Sequence, residues 1–290
     1  MALDLPALHA QLRAAAPLIQ NITNTVVQQF SANVLLAVGA APAMLDHEAD
    51  AGQFAALADA ILINFGTATN QQLLAADAAI RVAHRLRKPW VLDPVSVGVI
   101  AFRTERIRQA AENHPTVIRG NASEIAALAG QGAGGRGVDA TDEVDAVLPA
   151  AMSLAQSTGA VVAVSGACDA IVDVSGSTVR VARVGGGHAF MPLVIGTGCS
   201  LGSLTAAYLA AVHAGKSAVP HGESHPGAFE AAIAAHAHFK LAGEAAGKTA
   251  AGPGSFAVAF IDALYTLRSE GMAHAQVHVE VREMPDSCGL

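Results

Sequence analysis

The chain has little aromatic and little charged material. Phe, Trp and Tyr make up 4% of its 290 residues, and Asp, Glu, Lys and Arg only 14%. A core must therefore be built from Ala, Val, Leu and Ile, whose small size lets helices and sheets approach closely. So little charge also implies apolar surface covered by other subunits. The three cysteines are odd in number and widely spaced, which excludes a disulfide framework and points to a reducing cytoplasm. No basic tract interrupts a net charge of −7, so nucleic acid is not an expected partner. No run of about 20 apolar residues is free of Gly, Pro or charge, which excludes a helical membrane span. The opening "MALDLPALHAQLRAAAP" carries an early acid and no basic region before an apolar stretch, unlike a signal peptide. Neither a repeat of fixed period nor a long linker divides the sequence. A single domain over 1–290 is expected, with an uncertain tail from about 272.

What is present is an alternation. Helical patterns at 26–39, 51–58, 70–87, 104–114, 122–130 and 144–159 alternate with strand-like runs at 41–45, 60–66, 89–98, 116–121 and 160–166. Residues 169–185 read as a β-hairpin turning at "SGS", and the remainder reads as helical to about 270, with a break at "HGESHPG". The tail alternates at first and fits either an added edge strand or a loose end. Short apolar strands separated by helices predict an α/β fold: a central, mostly parallel β-sheet with helices on both faces. In such sheets ligands bind beyond the carboxyl ends of the strands. This singles out Asn64, Gly66, Asp93, Arg119, Asn121, Ser165, Gly166 and the turn at 196–199.

Three motifs mislead. Gly132, Gly134 and Gly137 match G-x-G-x-x-G, but a helix precedes them where the dinucleotide fingerprint needs a strand. "GEAAGKT" (243–249) has one residue too few between its glycines for a phosphate loop and follows no strand. His236 and His238, with His221 and His225 nearby, lack Cys or carboxylate partners at ligand spacing and read as core or solvated histidines. Cys168 and Cys288 carry no argument.

The turn Gly196-Thr197-Gly198-Cys199 heads a small-residue helix. Its glycines free the backbone to aim N–H groups one way, and the helix adds unpaired N–H groups and a positive dipole end. Together these suit an anion such as phosphate. Asp93, ending an apolar strand, and Glu124, in "NASE", supply two carboxylates of the kind that hold Mg²⁺. Glu124 also fits a capping box with Asn121. Arg119 is a candidate phosphate partner.

The segments "PLIQNITNTVVQQFSANVLLAVGAAPAM" (17–44), "ILINFGT" (61–67), "VLDPVSVG" (91–98), "TVIRGNASEIAALAG" (116–130), "VVAVSG" (161–166) and "GTGCSLGS" (196–203) together resemble the hydroxyethylthiazole kinases of the ribokinase-like superfamily, over roughly residues 15–268. That resemblance implies transfer of the ATP γ-phosphate to the alcohol of 4-methyl-5-(2-hydroxyethyl)thiazole, for thiamin salvage. It implies a thiazole site lined by Asn24, Val26, Met44, Gly66, Gly196 and Cys199. ATP would be contacted by Arg119 and Ser165 with Asn121 beside them, Mg²⁺ organised by Asp93 and Glu124, and the transferring phosphoryl group held by Gly196, Thr197, Gly198 and Cys199. It further implies a homotrimer with active sites at subunit interfaces. Ser165 stands where the family usually has Thr, which keeps the hydroxyl. Cys199 stands where most of the superfamily has an Asp base. A thiol at a helix start has a lowered pKa, so a thiolate base and a packing role in the thiazole pocket are both open. Cysteine at 199 and the "ITN" segment separate the chain from kinases of hydroxymethylpyrimidine.

Overall fold

A computed structural model describes residues 3–131, 142–214 and 225–283. Gly132, Gly134, Gly137, His221 and Cys288 lie outside these residues. Helix α1 (Leu5–Ala15) opens at Asp4, whose carboxylate accepts the Ala7 N–H, with Pro6 in its first turn. Strand β1 (Leu18–Ile22) follows, then α2 (Gln28–Ala37), β2 (Ala41–Ala43), α3 (Ala51–Leu57) and β3 (Ala60–Asn64). Helix α4 (Asn70–Leu86) starts on a capping box between Thr69 and Gln72, which satisfies N–H groups the helix itself cannot. Next come β4 (Trp90–Asp93), α5 (Ala101–Ala111), β5 (Val117–Asn121), α6 (Ala122–Leu128), α7 (Asp142–Thr158), β6 (Val161–Ser165), β7 (Asp169–Ser175) and β8 (Thr178–Val184). Helices α8 (Thr197–His213), α9 (Ala228–Gly247) and α10 (Pro253–Thr266) precede a last strand, β9 (Val277–Glu283).

The described strands form one sheet in the order β2-β1-β3-β4-β5-β6-β7-β8-β9. Pairing is parallel from β2 through β6 and antiparallel across β6-β7, β7-β8 and β8-β9. Strand side chains alternate between faces, and here both faces are covered. Leu62, Val91, Val117, Val161 and Ala163 pack into a core with α1, α2, α8, α9 and α10. Ile61, Ile63, Trp90, Leu92, Ile118, Val162 and Val164 pack into the opposite core with α3 to α7. Double coverage explains why these strands read as continuous apolar runs. Helix α8 is buried almost all round, and its small residues permit the approach. A Cβ on Gly202 would stand 3.0 Å from a Leu62 methyl carbon and 3.7 Å from an Asp93 carboxylate oxygen.

Two expectations need correction, and one open alternative is decided. The run at 89–98 is strand only to Asp93; Pro94 has no N–H for the ladder, and the chain turns through 94–99. Residues 185–196 are not helical: apart from a short 3-10 turn at Met191–Leu193 they are irregular. Part of the uncertain tail is placed, since β9 pairs with β8 over seven residues as an edge strand.

Candidate active site

The alternation that builds the two cores also places the chemistry. Asn64 and Asp93 share the parity of Leu62 and Val91; Arg119 and Ser165 share that of Val117 and Ala163. All four therefore stand on the α8 face, Asn64, Asp93 and Ser165 as the last residues of their strands and Arg119 two residues before the end of β5. Asn64 is the register partner of Asp93, and Asn121 of Ser165. Because β7 begins and β8 ends at this same edge, Asp169 and the Gly185-Gly186-Gly187 segment join them.

A cavity of about 690 Å³ opens along this edge. Asp93, Arg119, Asn121, Glu124, Ser165, Thr197, Gly198 and Cys199 line it, together with Gly166, Asp169, Gly186, Gly187, His188 and Lys240. Gly196 and Gly66 are not among the lining residues; the Gly66 N–H donates to Asn64 Oδ1 at 2.9 Å. Gly196 caps α8 at φ +99°, a conformation that favours glycine, and an added Cβ would meet Phe30 at 3.0 Å. The Thr197 hydroxyl turns away from the cavity and donates to the carbonyls of Met191 and Val194, so its side chain builds the turn. The N–H groups of Gly198 and Cys199 belong to the first turn of α8, where no intrahelical acceptor exists. Val26 is 61% exposed and Met44 is half-buried; neither is among the residues lining this cavity.

Asp93 is fully buried. Its Oδ2 accepts from Asn64 Nδ2 at 2.6 Å, while its Oδ1 has no partner among the described residues. Burial pushes this carboxyl well above the usual carboxylate range, against the pull of Arg119, and nearby Glu124 adds to the rise. Glu124 accepts the N–H of Asn121 at 2.9 Å and that of Ser96 at 3.3 Å. The capping box is therefore real, and each oxygen keeps a second lone pair. Arg119 is 7% exposed and donates to the Ser165 hydroxyl. Among the described residues no carboxylate pairs with it at salt-bridge distance, which leaves a buried cation facing the cavity.

Cys199 Sγ accepts from Asn24 Nδ2 at 3.3 Å. Burial and the Asp93 carboxylate push its thiol up to about 11, outweighing Arg119 and the hydrogen bonds that work the other way. This corrects the expectation of a lowered pKa at the helix start: the thiol stays protonated at neutral pH.

Sequence reasoning did not find Asp169, Lys240 or His188. Lys240 Nζ donates to the carbonyls of Gly166 at 2.8 Å and Ala167 at 2.9 Å, and lies 3.2 Å from Asp169 Oδ1. Asp169 Oδ1 also accepts the Gly166 N–H, and Oδ2 bonds His236 Nδ1 at 2.7 Å. These contacts tie the β6–β7 turn to α9. The run "GGGH" at 185–188 was the available signal, since successive glycines beyond a strand mark close backbone approach. His236 and His238 are both fully buried, matching the core reading. Among the described residues no three His, Cys, Asp or Glu gather as a metal cluster, and no helix is long and apolar enough to cross a membrane.

Residues 9–270 match the profile of the hydroxyethylthiazole kinase family. A hydroxyethylthiazole kinase of Corynebacterium glutamicum is 52% identical over 272 residues, covering 94% of this chain and 96% of the relative. One from Klebsiella pneumoniae is 49% identical over 254 residues, covering 88% and 92%. The solved hydroxyethylthiazole kinase of Pyrococcus horikoshii superposes with a TM-score of 0.80 at 32% identity, covering 97% and 99%. A pyridoxal kinase from Staphylococcus aureus, 15% identical with a TM-score of 0.58 over 92% of this chain and 99% of its own, shares the fold. The sheet order, the cavity at its carboxyl edge and these likenesses agree: this chain is a kinase and belongs to the hydroxyethylthiazole kinase family.

Proposed function

We propose that this protein transfers the γ-phosphate of ATP to the hydroxyl of 4-methyl-5-(2-hydroxyethyl)thiazole, supplying the thiazole phosphate for thiamin. The observation that carries the reading is the convergence on one cavity of the α8 N-terminus, the unpaired Arg119 and the half-satisfied Asp93. Phosphoryl transfer asks the protein for positioning and charge neutralisation more than covalent work. The N–H groups of Gly198 and Cys199 would hold the moving phosphoryl group. Arg119 would take nucleotide phosphate oxygens in a fork, with Ser165 and Asn121 beside it. Asn24 and Gly66 would hold the thiazole end.

The residues fit a magnesium ion. Asp93 Oδ1 is a buried oxygen without a partner among the described residues, Glu124 lines the same cavity, and hard cations take such oxygens. Asp93 and Glu124 would hold it, with phosphate and water oxygens completing its shell. When bound, it would supply charge neutralisation on the phosphates. Burial and the Asp93 carboxylate push the Cys199 thiol up, which favours a role in shaping the thiazole pocket over that of a thiolate base.

The chain would work as a cytoplasmic homotrimer of single-domain subunits, with the thiazole end completed by a neighbour. Val26, Leu193 and Ile195 support this: they are 61%, 61% and 71% exposed, and they flank Asn24 and Gly196 in the chain. The deciding experiment is ADP release with Mg-ATP and the thiazole alcohol, with hydroxymethylpyrimidine as the competing acceptor. Turnover of the thiazole alcohol is expected; turnover of the pyrimidine alone would overturn the assignment.

A further inference from the structure

Asn64 closes β3 and is 4% exposed. Its amide has one permitted orientation. The Gly66 N–H can only donate, and it lies 2.9 Å from Oδ1. The amide nitrogen therefore faces Asp93 Oδ2, at 2.6 Å. Oδ1 also accepts from Asn24 Nδ2 at 3.0 Å. Because Oδ1 cannot donate, Asn24 must turn its NH₂ group toward Asn64. That same NH₂ group reaches Cys199 Sγ, so the Asn24 carbonyl oxygen is directed to the other side of its amide. One buried side chain thus fixes the direction of hydrogen bonds at Gly66, Asn24 and Asp93.

We propose that Asn64 is a positioning residue that couples the thiazole end of the site to its phosphoryl-transfer end. The inference rests on the function proposed above. Its oxygen serves the acceptor side, orienting Asn24 and the Gly66 backbone. Its nitrogen serves the other side, holding the Asp93 carboxylate so that Oδ1 is the oxygen presented. The geometry makes the two duties separable. Asn64→Asp keeps an oxygen for Gly66 and Asn24 but replaces the amide donor to Asp93 with a second carboxyl, which must either repel that carboxylate or share a proton with it. Asn64→Ser shortens the side chain and withdraws both.

The test combines calorimetric binding of the thiazole alcohol, without ATP or metal, with steady-state kinetics and thermal unfolding. Asn64→Asp is expected to bind the thiazole alcohol within about threefold of wild type while kcat falls about 100-fold or more. Asn64→Ser is expected to weaken thiazole binding about 5–20-fold and lower kcat as well, with KM for ATP within about twofold. Asn24→Ser should weaken binding alone, and add little in the Asn64→Ser background, since coupled neighbours are non-additive. Additive effects of the Asn24 and Asn64 changes, or an Asn64→Asp variant that loses affinity but keeps kcat, would overturn the proposal. Should Asn64→Ser not fold, the affinity and kcat split in Asn64→Asp decides alone. Wild-type protein that releases no ADP with this acceptor overturns the functional reading instead. An active wild type with an unaltered Asn64→Asp variant overturns the coupling only.

Discussion

Two influences meet at Cys199. A helix start favours a thiolate, whereas burial and a neighbouring carboxylate favour the thiol, and the second pair prevails. Cys199→Ala should therefore keep measurable turnover in an ADP-release assay; a loss beyond about 10⁴-fold, the upper range for general base catalysis, would restore a base role. Gly196 and Gly198 offer a contrast two residues apart. Gly196→Ala forces φ +99° on alanine and drives its Cβ against Phe30. It should cost about 1–3 kcal/mol of stability, read by denaturant unfolding, in addition to activity. At Gly198 an added Cβ finds nothing closer than the Arg119 guanidinium at 3.5 Å. Gly198→Ala should fold normally and lose turnover, because only the phosphate side is crowded.

At the scale of the element, α9 bears on the β6–β7 turn through Lys240 and His236. Lys240 is 7% exposed and ties the β6–β7 turn to the helix. Lys240→Met leaves Asp169 and His236 paired without their cation and releases two carbonyls. KM for ATP should rise about tenfold or more while KM for the thiazole alcohol holds, and unfolding should come at lower denaturant. Nothing local in "AHAHFKLAG" reveals this, since its partners lie more than 65 residues away in sequence. By contrast β3 to β6 are legible, because strands covered on both faces must be apolar throughout. Asp93 and Arg119 are legible for the same reason: polar residues ending apolar strands stand out. Helix α1 and strand β1 were not anticipated, although Asp4 before Leu5-Pro6 is a capping signal. Residues 185–196 follow no period, so their route along the cavity is set by tertiary contacts such as Gly187 against Lys240 and Met191.

For the whole molecule, buried histidines set the acid limit. Burial lowers His238 to about 3 and His9 and His225 to about 4. His238 is held neutral between the Tyr208 hydroxyl and the Leu264 carbonyl. Unfolded, these groups titrate near their ordinary 6.5. The unfolded chain thus binds more protons below that pH, and their contribution to stability, complete above 6.5, is lost as pH falls toward 4. Asp93, held above its ordinary range, works in the opposite direction, as one group against these three histidines and His236, which burial also lowers. The thermal midpoint at pH 5 should lie below that at pH 7.5, and His238→Gln should flatten the difference. An Ile195→Asp change, aimed at the exposed apolar surface beside the site, should shift the proposed trimer toward monomer in light scattering and weaken thiazole binding with it.

Strand β9 carries a consequence for how the protein is made. Until it is added, β8 exposes a full row of backbone N–H and C=O groups along a strand that includes Val179, Val181 and Val184. A nascent chain that has not yet released residues 277–283 holds an open template for pairing with another chain. Once docked, β9 becomes the sheet edge; Glu280 and Arg282 on one face are charges that discourage further strand addition, although Val281 on the other is 66% exposed. A chain stopped after residue 275 should therefore aggregate during expression even though every residue of the cavity is present.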